Sequence, residues 1–177
     1  MSDVDPLLIN ATTKIFEDLS DPKTINASKT DSWRNQLWSA LEEAGLTLAW
    51  ISDTYGGSGA TIADGFSILE VSGKFAAPVP LGETLLAGWL LSKGSIDSPK
   101  GMMTVAPTRP RDRIEFNADN TLTGQVFGIP FASISENIAV IAHGSDGLYV
   151  ALVASKDCIV THNSGLSGDG RDTITLK

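Results

Sequence analysis

Two histidines, one cysteine, two glycine-rich runs and a short arginine cluster are the residues here whose types suit chemistry. His143 and His162 fall at the ends of strand-like runs, with no carboxylate or cysteine at ligand spacing in the sequence. The Cys/His patterns of zinc sites are absent, so both read as surface or turn residues and no metal is expected. Cys158 sits between Asp157 and Ile159, which supply neither base nor cation, and reads as a packing residue within a strand. Tyr55-Gly56-Gly57-Ser58-Gly59 lacks the lysine of a Walker loop and the G-x-G-x-x-G spacing; it reads as a tight connection between helices. Residues 165–171 (GLSGDGR) would allow close approach to a phosphate with Arg171 as counter-charge, but a plain loop between strands is the simpler reading. Arg109, Arg111 and Arg113 offer a phosphate partner or, more simply, solvated loop charges around two prolines. Ser58 and Ser167 lack a local base and a nucleophile-elbow context, which argues against a serine hydrolase. No catalytic residue is assigned.

These residues sit on a chain of 177 amino acids, 42% hydrophobic and 19% charged, which suits a globular protein with a core. The net charge of −8 leaves no basic face for a nucleic-acid backbone. The lone cysteine permits no internal disulfide, the acidic stretch 1–6 is unlike a signal peptide, and the apolar run 85–91 is too short to span a bilayer. A cytoplasmic protein without membrane or nucleic-acid partners is expected.

The chain changes character near residue 95. Asp5-Pro6 signals a helix start, with Leu8, Ile15 and Leu19 on one face beside Phe16, and Pro22 as the end. A second helix begins near Asp31 or Ser32 and stops at Gly45; Trp33, Leu37 and Leu41 recur along one face while Glu42 and Glu43 face water. A third is expected over 61–75, carrying Ile62, Phe66, Leu69 and Val71. After Pro78-Val79-Pro80 a fourth, 81–93, is apolar nearly all round and is expected at the centre of a helical cluster. Trp33, Trp38, Trp50 and Trp89 all fall on apolar faces, where core packing accounts for them. Beyond Ser98-Pro99 the pattern shortens to strands at 102–106, 113–116, 121–127, 137–143, 148–153, 159–162 and 173–176. Asp119-Asn120 and Ser145-Asp146-Gly147 read as hairpin turns, and without helix-length inserts the sheet is expected to be antiparallel. The last strand-like run abuts Lys177, so a chain shortened relative to complete folds of this kind is expected.

The stretch 41–92, with its EAGL and YGG-G segment, resembles the acyl-CoA dehydrogenase family. APVPLGETLLAGWLL is similar to a shorter, divergent bacterial branch acting in acyl-CoA and steroid-CoA degradation. MTVAPTRPRDRI, LTGQVFGIPFASISENIAVIA and GLSGDGRDTITL continue the resemblance. It implies an α+β fold: an N-terminal all-α helical domain (1–97), then a middle antiparallel β domain forming a partial barrel (98–177), with the family's C-terminal four-helix bundle lacking. The family holds FAD between the β domain and that bundle and removes a proton and a hydride from the Cα–Cβ bond of an acyl-CoA thioester. The basic glutamate normally comes from the bundle, so the 177-residue chain alone is expected to be inactive.

The family's TEP-GAGSD flavin loop is reduced here to Val105-Ala106-Pro107, and its W-I-T triplet falls on Gly128-Ile129-Pro130, with Phe131 available to replace the lost aromatic. The resemblance therefore implies cofactor contacts from Val105, Pro107, Ile129, Pro130 and Phe131, and an acyl-chain pocket near 75–80. Acyl-CoA substrate and a homo- or hetero-oligomeric full-length form follow from it. The alternative is a non-catalytic partner subunit of a heteromeric acyl-CoA dehydrogenase that does not itself bind flavin.

Overall fold

A computed structural model describes residues 5–28, 30, 32–166 and 169–177. Within them, helices α1 (Pro6–Leu19), α2 (Pro22–Ala27), α3 (Ser32–Glu43), α4 (Ile62–Phe75) and α5 (Leu81–Lys93) precede seven strands. The strands are β1 (Met103–Ala106), β2 (Ile114–Phe116), β3 (Leu122–Pro130), β4 (Asn137–His143), β5 (Leu148–Ala154), β6 (Ile159–Thr161) and β7 (Arg171–Leu176).

Local chemistry sets the helix ends. The Asp5 carboxyl accepts the Leu7 N–H at 2.9 Å and Pro6 occupies the first turn, where its missing N–H costs nothing. Thr61 and Asp64 form a capping box on α4: Thr61 Oγ1 accepts the Asp64 N–H at 3.1 Å, and Asp64 Oδ2 accepts the Thr61 N–H at 2.8 Å. Asp64 Oδ1 also accepts the Asp5 N–H at 3.1 Å, so one buried carboxyl joins the starts of α1 and α4. The Thr61 backbone and hydroxyl, then the Asp5 N–H, hold the Asp64 carboxyl below its ordinary value.

Helix α1 ends at Leu19, ahead of Pro22 as expected, and Pro22 also opens α2, a short helix not expected from the sequence, because proline suits a first helical position as well as a boundary. Asp31, one candidate start of α3, lies outside the described residues, and α3 begins at Ser32.

Phe16, Leu37, Leu41, Ile68, Leu81 and Leu85 form the helical core, with Phe16 and Phe75 stacked at 5.7 Å. Ile114, Val126, Ile129, Ile138, Val140 and Ile174 form a second core on the sheet. Helix α5 is not buried all round as its composition suggests. Leu81 and Leu85 face the helices, Ala87 and Leu91 pack with Met103 and Ala139 of β1 and β4, and Leu86 and Trp89 remain exposed. It is the element between the two cores. Thr84, buried on α5, donates from Oγ1 to the Met103 carbonyl at 3.1 Å and accepts the Met103 N–H at 3.0 Å. A side-chain hydroxyl thus does for β1 what a neighbouring strand would do.

The sheet is mixed, not purely antiparallel. Strand β4 pairs antiparallel with β5 along its length and parallel with β1, and its His143 end meets Glu115 of β2. The remaining pairings, β2–β3, β3–β7 and β6–β7, are antiparallel. A parallel pair needs a long crossover, and the β2–β3 hairpin supplies it where a helix was looked for. Strands β1, β5 and β6 each pair with one neighbouring strand only, so among the described residues the sheet is open rather than closed. Strand β3 runs to Pro130 because its register shifts between Val126 and Ile129, at Gly128 with φ of +70°.

Candidate functional site

The five residues expected to meet a cofactor lie along β1 and the end of β3 but do not share one exposed wall. Ile129 is fully buried in the sheet core, and Pro130 is buried with its carbonyl accepting from Thr104 Oγ1 at 2.7 Å. Val105 is half-buried against the Ala87–Leu91 face of α5. Pro107 and Phe131 are likewise half-buried, Phe131 from a left-handed backbone with φ of +53°. By themselves these five side chains do not fit a flavin: two are sealed in packing and none is charged. Of the stretch 75–80, Phe75 stacks in the helical core whereas Pro78 reaches an open cleft.

That cleft, of about 300 Å³, gathers Phe131, Pro78 and Ile134 on apolar walls, with His162, Arg34 and Asp169 around them. Its best-organised side chain is His162. Ile159 to Thr161 pair antiparallel with Thr175 to Thr173, so the same register carried one step further sets His162 opposite Asp172. His162 Nδ1 lies 2.9 Å from Asp172 Oδ1, and that oxygen also accepts the Asn163 N–H at 3.1 Å. Asp172 Oδ2 accepts the Ser133 N–H at 2.7 Å. Asp172 is fully buried, while the imidazole is 67% exposed at the cleft. No carboxylate adjoins His162 in the chain; Asp172 is ten residues away, and the hairpin register is the signal that brings the two opposite.

The other candidates disperse. Arg109 lies 3.8 Å from Asp112 and over the Phe127 ring, and Arg113 pairs with Glu115 at 3.1 Å, so two of the three arginines already engage neighbours. His143 ends β4 opposite Leu148. Cys158 is partly buried, and burial, then Asp157, raises its thiol above the ordinary value, which disfavours the thiolate. Gly56 and Gly57 make the tight connection expected; a Cβ at Gly57 would fall 1.8 Å from the Ile51 carbonyl oxygen. The loop from Gly165 closes on itself through the Gly165 N–H to the Asp169 carbonyl at 2.9 Å, whereas Ser167 lies outside the described residues. Ser58 is exposed. Burial raises the Glu83 carboxyl at the start of α5, against the lowering influence of nearby Arg171. Among the described residues no group of three or more His, Cys, Asp or Glu is arranged to hold a metal, and no helix is long and apolar enough to cross a membrane. A second cleft of about 450 Å³ lies between α3, α5 and the loop before β1, lined by Glu42, Glu43, Tyr55, Thr84 and Lys100 among others.

No family model matches the sequence. Acyl-CoA dehydrogenase IpdE2 of Mycolicibacterium smegmatis is 28% identical over 142 residues, 78% of this chain and 45% of that protein. The steroid acyl-CoA dehydrogenase Tcur3481-Tcur3483, as its G363A variant, superposes with a TM-score of 0.78 at 24% identity, over 97% of this chain and 54% of that one. The chain is related to the acyl-CoA dehydrogenases and has their fold. The ChsE4-ChsE5 complex of Mycobacterium tuberculosis gives a TM-score of 0.77 at 20% identity, covering 96% of this chain and 52% of that one. This chain therefore spans about half the length of the acyl-CoA dehydrogenases it matches. Within its 177 residues, β7 is followed only by Lys177, with no helical bundle after the sheet.

Proposed function

We propose that this chain forms the helical and β half, 1–97 with 98–177, of a cytoplasmic acyl-CoA dehydrogenase-like assembly acting on an acyl-CoA thioester. The observation that carries the reading is the likeness over nearly the whole chain to a steroid acyl-CoA dehydrogenase, together with the 28% identical acyl-CoA dehydrogenase. In this reading the other half, with the base and most of the cofactor wall, belongs to the same polypeptide. FAD is the cofactor the relationship suggests, held jointly, with the half-buried Pro107 and Phe131 as this chain's contributions.

A second reading makes the chain part of a non-catalytic partner subunit. The burial of Ile129 and Pro130 favours it, since the positions of the expected flavin contacts are committed to packing. The two-component names of the matched steroid enzyme and of the ChsE4-ChsE5 complex agree with either form of subunit partnership.

The experiment is purification of the whole reading frame, alone and with a co-expressed dehydrogenase subunit from a neighbouring gene. Flavin absorbance is recorded, then bleaching by acyl-CoA thioesters. Flavin and bleaching by the protein alone support the first reading and exclude the second; flavin and bleaching only in the pair support the second. Colourless, inert protein in both preparations overturns the dehydrogenase assignment.

A further inference from the structure

The cleft beside the β6–β7 hairpin contains the one side-chain pair among the described residues that resembles prepared acid–base machinery. Asp172 is sealed from solvent and already accepts two backbone N–H groups, from Ser133 at 2.7 Å and Asn163 at 3.1 Å. Towards His162 it is an acceptor as well, which assigns the proton to Nδ1 and leaves Nε2 for whatever enters the cleft. Three elements converge to fix this geometry: the β3–β4 connection through Ser133, the end of β6 through His162 and Asn163, and β7 through Asp172. Such support of an exposed ring from a buried carboxyl orients a side chain that would otherwise rotate freely.

The walls indicate the ligand. Pro78, Phe131 and Ile134 offer apolar contact, and Arg34 adds a cation to the same cleft as His162. Asp169 also lines it and opposes any additional negative charge. The volume of about 300 Å³ lies at the lower end of the range for small-molecule sites. We propose that this cleft binds a monocarboxylate carried on a small apolar body, with His162 Nε2 as the hydrogen-bonding atom and Asp172 as its positioning residue. The imidazole binds as imidazolium, donating Nδ1–H to Asp172 and Nε2–H to the ligand carboxylate. The charged groups around it are Asp172 behind, and Arg34 and Asp169 on the walls. The proposal shares Phe131 and Pro78 with the dehydrogenase reading but needs neither flavin nor a thioester, so the carboxylate titration is done on flavin-free protein.

The test is a histidine-selective ¹⁵N NMR titration of the protein with cyclohexanecarboxylate, with cyclohexylmethanol and inorganic phosphate as controls. Saturable movement of the His162 Nε2 signal is expected with the carboxylate. Little movement is expected with the alcohol, which has no charge, or with phosphate, whose second charge meets Asp169. His162→Gln, at an exposed position, should keep the fold and weaken binding at least about ten-fold, the loss of one charge-assisted hydrogen bond. Absence of a saturable His162 response up to the solubility limit of the carboxylate overturns the proposal. So does equal binding by His162→Gln, or binding of phosphate as tight as that of the carboxylate.

Discussion

Replacing Asp172 by asparagine keeps the size of a fully buried side chain and removes half of its accepting capacity. The amide must turn its NH₂ toward either the Ser133 N–H, 2.7 Å from Oδ2, or the Oδ1 side, where His162 Nδ1 lies at 2.9 Å and the Asn163 N–H at 3.1 Å. Whichever way it turns, a donor faces a donor and a buried group loses its partner. An unsatisfied buried group costs about 1–3 kcal/mol, and each remaining bond falls from carboxylate to neutral strength. The expected loss is about 3 kcal/mol, or a Tm lower by roughly 6–12 °C for a chain of this size. Urea unfolding followed by far-UV circular dichroism measures it. His162→Gln is the control: the ring is 67% exposed, so its own loss should stay below about 1 kcal/mol. Stability of Asp172→Asn within about 1 kcal/mol of the parent would show that the network is not holding the three segments together.

Asp64→Ala removes one partner of the capping box and the tie to Asp5, and should cost about 1–2 kcal/mol in a thermal melt. Because the folded Asp64 carboxyl titrates below its ordinary value, its contribution is complete above that ordinary value and lost as pH falls through the folded one; the parent should lose stability there faster than Asp64→Ala. Gly57→Ala places a methyl 1.8 Å from the Ile51 oxygen and should destabilise by more than about 2 kcal/mol, read as a lowered urea midpoint. Thr84→Val keeps the shape and removes both bonds to Met103; a loss of about 1–3 kcal/mol and faster exchange of the Met103 amide are expected.

Much of the fold was legible. Strand β4 has the bounds expected for it, and α4 and α5 lie where expected, but of the apolar side read for α4 only Leu69 and Val71 turn inward, Ile62 and Phe66 being exposed. The parallel β1–β4 pair was not, since two strands separated by a hairpin carry no local mark of which will lie side by side. Helix α5 misled by composition: its continuous apolar surface serves two cores, and the pattern does not say that one of them is a sheet. Trp89 was assigned to packing for the same reason, yet it sits partly exposed with Lys93 5.6 Å from its ring centroid. The candidate site was the least legible part. Phe131 was singled out and lines the cleft, but the pairing of His162 with Asp172 exists only once two strands are in register.

The hydroxyl of Thr84 completes the backbone of a strand from the side of a helix. In a polypeptide severed in the connection between Lys93 and Met103, separation of the pieces would strip Met103 of both bonds to Thr84 and bare Ala87 and Leu91 to water in the same stroke. The fragments should therefore be poor autonomous folders, and the intact protein should melt in a single calorimetric peak in spite of its two-part composition.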